Sequence, residues 1–357
     1  MASTFPARAQ SFRLHGDLAD PRCAIGGPLF DAVLLWGCPL ASALLVWLWI
    51  AGAGLLAAPW RDGAITALAA AVSVLTFAHL IAVAPRAYLN REVFEANRRR
   101  LTIVPVLLIA ALTLSPSMLL IGGVVAVFWD VHHSAMQSFG LARIYDMKAG
   151  NGALVLRRTD LRLNWALYVG PIAAGASLMA HLASLNEFGP LGWSALTAIP
   201  SVAESHLTGI AELAILAWLG IVGWAAWDYR AAIASGYRLP VHKLALAAST
   251  GLVSIAAWGL TTPVAAFAII NLFHAVQYFA LVWLKEGPRM TAVGGAAEGS
   301  TQRGVIALAV FLLLCLGFGL AYHYGRDVHL LAGAFIACSL LHFWYDSFVW
   351  SVRKKQV

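Results

Sequence analysis

The stretch Phe128-Trp129-Asp130-Val131-His132-His133-Ser134-Ala135-Met136-Gln137 closes an apolar run that begins near Met118. It continues into a charged end, Arg143-Ile144-Tyr145-Asp146. Hydrocarbon is a costly place for an Asp, two His and a Gln, so ionisable groups at that depth are candidates for function. Three other apolar runs carry a histidine at a comparable distance from a basic end. They are Phe77-Ala78-His79 before Arg86, Asn271-Leu272-Phe273-His274-Ala275-Val276-Gln277 before Lys285, and Leu341-His342-Phe343-Trp344-Tyr345-Asp346 before Arg353.

Composition sets the class. Of 357 residues, 61% are hydrophobic and 11% charged, and the mean hydropathy is +0.76. A soluble domain carries about 25% charged residues. The expected fold is therefore an all-α polytopic transmembrane bundle. Residues 1–28 read as a polar cytoplasmic segment with no apolar stretch of the signal-peptide kind, and residues 29–357 as one membrane domain. The four cysteines (Cys23, Cys38, Cys315, Cys338) show no CxxC spacing and read as packing residues.

Ten runs are apolar enough to cross about 30 Å of hydrocarbon, allowing for tilt and breaks. They are 30–57, 64–86, 101–115, 117–142, 163–184, 207–229, 242–260, 263–284, 304–323 and 329–352. The third and fourth meet at Ser115-Pro116-Ser117, the seventh and eighth at Thr261-Thr262-Pro263. Residues 185–206 read as a long loop and 287–302 as a flexible connection. The stretch EVFEANRRR from Glu92 to Arg100 reads as an interfacial continuation of the second run.

Charge gives an orientation. With the N-terminus in the cytoplasm, every Lys and Arg except Arg61 and Arg326 falls on the cytoplasmic side. Positive charge stays inside, so the expectation is ten spans with both termini cytoplasmic, as in a bacterial plasma membrane. The +7 net charge then reflects topology and anionic lipid, and excludes nucleic acid as the partner it would otherwise suggest.

His79, His133, His274 and His342 lie on the second, fourth, eighth and tenth runs, all crossing in one direction. Their distances from the basic ends put the imidazoles roughly 10–17 Å below the cytoplasmic interface, at about 1.5 Å per residue. Imidazoles from four helices in one layer suit a transition metal. Asp130, His133 and Gln137 share one helix face, as do His342 and Asp346. Asp130, Gln137, Gln277 and Asp346 are the residue types that ligate a metal or orient its imidazoles, or hold bound oxygen. His132 is a fifth ligand or a group behind the ligands. Glu212 is expected to pair across helices, and Asp228 and His242 to lie where water reaches them.

A site of histidines and carboxylates with an open position suits non-haem iron, with one ion or two. Zinc and haem b are the alternatives. The chain resembles the polyhistidine integral-membrane oxygenases, nearest the Brp/Blh-type β-carotene dioxygenases, on His79, His133, His274 and His342. It lacks the HxxxH and HxxHH boxes of membrane desaturases. The resemblance implies an apolar lipid, hydrocarbon or isoprenoid substrate, O2 and iron. The chain holds no evident flavin or iron–sulfur domain, so a hydroxylase would need an external electron donor. Two other classes stay open. A zinc-dependent membrane hydrolase would act without O2, and a metal carrier or haem subunit would need no reaction.

Overall fold

The chain is described by a computed structural model that covers residues 14–293 and 301–350. Among these residues ten helices have 17 residues or more: α1 (Cys38–Gly54), α2 (Ala58–Ile81), α3 (Arg91–Leu114), α4 (Pro116–Lys148), α5 (Arg157–Ala174), α6 (Leu207–Ala234), α7 (Val241–Leu260), α8 (Pro263–Val293), α9 (Thr301–Gly325) and α10 (His329–Val349). No β-strand forms among the described residues. The expected all-helical membrane-type bundle is what folds.

Crossing capacity is narrower than ten. Seven spans are long and apolar enough to cross a membrane, and two bent helix pairs raise the number to nine. One bent pair joins Pro28–Leu35 to Cys38–Gly54 at 41°, and the other joins Arg157–Ala174 to Leu178–Leu191 at 87°. The fifth run therefore breaks after Ala174. Gly175 lies so close to α7 that a Cβ would come within 2.5 Å of the Gly259 Cα. The third run falls short because α3 starts in charge and becomes apolar only from Leu101.

Three readings of the connections change. Glu92 to Arg100 opens α3 and does not prolong α2; the path of α2 runs on through a π-helix (Pro85–Leu89), and the break comes at Asn90, which is extended and whose side chain caps α3 by accepting from the Val93 N–H. Residues 185–206 are short helical turns, not an open loop. Helix α8 runs on through Gly287 and Pro288 to Val293; the rest of that connection, 294–300, lies outside the described residues. Between α3 and α4, Ser115 alone is extended, and its Oγ accepts from the Met118 N–H as an N-cap. That single residue makes the two helices an antiparallel pair.

Helix α8 is the central element and the most buried span. One core cluster joins Val46 of α1, Ala135 of α4, Tyr168 of α5, Trp258 of α7 and Phe273 of α8. A second joins Ala78 of α2, Tyr278 of α8, Cys315 of α9 and Tyr345 of α10. Small residues set the closest approaches, as expected where lipid supplies no hydrophobic drive between helices. A Cβ on Gly319 of α9 would stand 2.1 Å from the Val74 carbonyl oxygen of α2. A Cβ on Gly333 of α10 would stand 2.5 Å from Thr113 Oγ1 of α3. Close packing of α2 with α9, and of α3 with α10, brings the ends of α2 and α10 against α8 between the two clusters.

At the basic end, charges counted as surface groups in the sequence turn inward. Arg143 Nη1 reaches Asp146 and Asp160 Oδ2 at 2.5 Å each, and Lys243 Nζ reaches the same oxygens at 2.7 and 2.8 Å. Tyr229 donates to Asp160 and Tyr237 to Asp146. This closed set ties α4, α5 and α7 together. Residues 14–27 fold back over the same end, where the His15 N–H donates to the Leu239 carbonyl at 2.8 Å. Asp31 is buried and accepts from the Ile25 and Gly26 N–H groups and from Tyr145 OH.

Candidate metal centre

Four helices bring four imidazoles to one point. His79 (α2), His133 (α4), His274 (α8) and His342 (α10) are all buried, with 4% exposure at most. Ring centroids are 4.9 Å apart for His79 and His274, 5.0 Å for His79 and His342, 5.0 Å for His133 and His274, and 4.7 Å for His133 and His342. Ligand atoms of His79, His133 and His274 all lie within 4.8 Å of one another, and those of His133, His342 and Asp346 meet the same limit.

The hydrogen bonds explain the ring orientations. Helix α2 ends at Ile81, so carbonyls of its last turn have no helical partner. The Leu80 carbonyl faces His342 Nδ1 at 2.9 Å. With Nδ1 donating there, His342 Nε2 carries the lone pair and points at His133 Nε2, 3.0 Å away. Neither ring nitrogen of His79 has a hydrogen-bond partner, nor does His274 Nε2. Buried polar nitrogens are rarely left unpaired, and a cation ligated at this point would take up His274 Nε2 and one nitrogen of His79.

Asp346 stands beside the imidazoles. Its Oδ2 is 3.8 Å from His133 Nε2 and 3.9 Å from His342 Nε2. Its Oδ1 accepts from Tyr278 OH at 2.7 Å and from Trp350 Nε1 at 3.1 Å. The carboxylate is thus pinned by one oxygen and turned to the histidines by the other. Tyr278 also packs on His342, with centroids 4.8 Å apart.

Gln137 and Gln277 brace the site from behind α8. Gln137 Nε2 donates to the His274 carbonyl at 3.1 Å and to Gln277 Oε1 at 2.9 Å. Gln277 Nε2 donates to the Leu35 carbonyl at 2.6 Å, at the end of the π-helix Asp31–Leu35. π-Turns often mark functional sites, and here one supplies the acceptor that anchors the glutamine pair.

Other candidates lie elsewhere. His132 is half-buried beside Trp129 and Trp165, with ring centroids 5.3 Å from each, and belongs to neither group of converging ligand atoms. Asp130 is half-buried one turn before His133 and is likewise outside both groups. His242 is fully buried against Tyr145, contrary to the water-accessible place expected of it. Its helix starts under the folded-back segment 14–27, which covers it. Asp228 accepts from Thr159 Oγ1 at 2.7 Å. Glu212 is exposed on α6 and makes no ion pair among the described residues.

Tyr278, Trp350 and Arg86 join the site through contacts across the chain, although in the sequence Arg86 marks only the basic end of the second apolar run. Arg86 is buried: its Nη1 meets Glu286 Oε1 at 2.5 Å, and its guanidinium lies 4.8 Å from the Trp350 ring centroid. A continuous set of contacts therefore runs from Glu286 through Arg86 and Trp350 to Asp346. The available signal was spacing: Tyr278 follows His274 by one helical turn, and Trp350 follows Asp346 by one.

The chain matches no family model, no curated protein and no solved structure.

Proposed function

We propose that the protein is an integral-membrane non-haem iron oxygenase acting on an apolar lipid, hydrocarbon or isoprenoid. The observation that carries this reading is the convergence of four buried imidazoles, two of which, His79 and His274, hold ring nitrogens with no protein partner. His79, His133, His274 and His342 would hold the metal. Asp346 would be a fifth ligand or an orienting carboxylate. With the basic ends of these four helices in the cytoplasm, the site would lie in the cytoplasmic half of the bilayer.

Iron held by histidines with an open position supplies activation of O2. The chain's own residues supply position and exclusion of water. The Leu80 carbonyl fixes the His342 tautomer, Tyr278 and Trp350 fix Asp346, and the Gln137–Gln277 pair holds the α8 backbone at His274. Such supporting contacts orient ligands and raise their basicity. Ring centroids 4.7–5.0 Å apart leave a gap sized for an ion rather than a porphyrin, which favours non-haem iron over haem b.

A zinc hydrolase is the second reading, favoured by Asp346 beside the imidazoles of His133 and His342. Two measurements separate the two. The oxygenase contains iron and consumes O2 with its substrate, supported by an external electron donor if it hydroxylates. The hydrolase contains zinc and turns over without O2. Absence of any stoichiometric transition metal after gentle extraction rejects both.

A further inference from the structure

A cleft runs along α5, with α4 between it and the imidazoles of α2, α8 and α10. Helices α6 and α7 both pack on α5, and the cleft opens between them. Its part nearer the basic end is a cavity of about 510 Å³ floored by Leu163 and Asn164 of α5 and flanked by Ala226 and Arg230 of α6 and Ala247 of α7. Ser138 of α4 forms part of its back wall, five residues along from His133. A second cavity of about 300 Å³ continues beside Gly170, Pro171 and Ala174 of α5, under Trp218 of α6. These α5 positions recur at helical spacing on one face. From Asp160 to Ala174 they extend about 21 Å at 1.5 Å per residue.

One side chain stands between the two cavities. Leu167 is on the same α5 face and lies against Gly251 of α7, where a Cβ would come within 2.9 Å of it. Apart from Leu167 the cleft is long and largely apolar, walled by Leu, Ile and Val with Ala and Gly between them. Its outer lip is α6, the least buried span, with Leu213, Leu216 and Trp227 exposed. That lip belongs in lipid.

Charge is asymmetric along the cleft. Asp160 and Lys243, at the basic end of the floor, neutralise each other within the closed cluster. Arg230 lines the same cavity, is exposed, and has no ion pair among the described residues. A long apolar slot with one uncompensated cation at its basic end fits an acyl chain carrying an anionic head. Lipid-embedded surfaces attract anionic lipid by about 1 kcal/mol per basic residue, or about fivefold in affinity.

We propose that this cleft binds one acidic glycerophospholipid, with an acyl chain along α5 between α6 and α7 and the phosphate at Arg230. The assignment is independent of the metal reading. The lipid would fill the space between α6 and α7, since α6 packs on the bundle chiefly through α5.

The test uses the full chain, purified in detergent, stripped of lipid and titrated with phosphatidylglycerol, phosphatidylcholine of matched chains, or palmitate. Native mass spectrometry counts retained adducts. The expected result is one retained phosphatidylglycerol, preferred about fivefold over phosphatidylcholine. Arg230→Gln removes the preference while leaving chain retention. Ala226→Phe fills the slot and lowers retention of both phospholipids; Leu167→Ala joins the cavities and raises it, which guards against a folding defect in the first variant. The proposal is overturned if the wild type shows no headgroup preference, if Arg230→Gln keeps it, or if Ala226→Phe and Leu167→Ala both bind as the wild type does. Displacement of phosphatidylglycerol by equimolar palmitate also overturns it.

Discussion

His342 Nε2 lies 3.0 Å from His133 Nε2, while His342 Nδ1 faces the Leu80 carbonyl at 2.9 Å. A carbonyl oxygen only accepts, so the Nδ1 proton is committed and Nε2 presents its lone pair to its neighbour. Two imidazoles from helices more than two hundred residues apart in sequence are thereby aimed at one point. The His79 ring lies 5.0 Å from that of His342, and the His274 ring 5.0 Å from that of His133, centroid to centroid.

Replacing a converging histidine should empty the site. His79→Ala, His133→Ala and His342→Ala are each expected to lose bound metal, from about one ion per chain to trace levels, as measured by elemental analysis. His132→Ala should retain the ion, because its ring packs beside Trp129 and Trp165. Equal loss in His132→Ala and His133→Ala would contradict the placement.

Asp346 is oriented by two donors, and each should matter. Tyr278→Phe removes the 2.7 Å hydrogen bond without removing the ring. Loss of such a supporting contact costs roughly 10–100-fold in metal affinity, measurable by competition with a chelator. Trp350→Phe should act in the same direction. An unchanged affinity in both would show that Asp346 needs no bracing.

The closed cluster of Arg143, Asp146, Asp160 and Lys243 should behave as a unit. Lys243→Met leaves two buried carboxylates facing one guanidinium and is expected to destabilise the fold by about 3–5 kcal/mol. Pairing it with Asp160→Asn should recover part of that loss. Thermal unfolding in detergent reads both. Additive losses in the double variant would mean the two groups do not interact.

Orientation is testable at two positions. In a background with Cys23, Cys38, Cys315 and Cys338 replaced by Ser, Arg289→Cys should react with a membrane-impermeant maleimide only from the cytoplasmic side. Arg326→Cys should react only from the opposite side. The reverse pattern would overturn the inside-positive assignment.

Much of the bundle was legible because hydropathy reports helices directly. The ten apolar runs correspond to α1–α10, and the turn at Ser115 sits where its Pro neighbour placed it. The four histidines that meet were legible from their comparable distances to a basic end, which set them apart from the other histidines of the chain. Contacts across the chain were not. No local pattern says that Arg86 turns inward to Glu286, that the Leu80 carbonyl is freed by the end of α2, or that a π-turn delivers the Leu35 carbonyl to Gln277. His132 and His133 differ by one residue, or about 100° of helix. That rotation sends one ring into the centre and the other to a pair of tryptophans, a choice fixed by how α4 packs rather than by its composition. The break at Gly175 depends likewise on Gly259 of another helix.

The most direct measurement is anomalous X-ray diffraction at the iron edge on crystals of the wild-type protein, purified gently and without added metal. The expected result is an anomalous peak enclosed by His79, His133, His274 and His342. A map with no peak among these rings, at the iron edge or at any other transition-metal edge, would contradict the metal centre and leave the oxygenase reading without support.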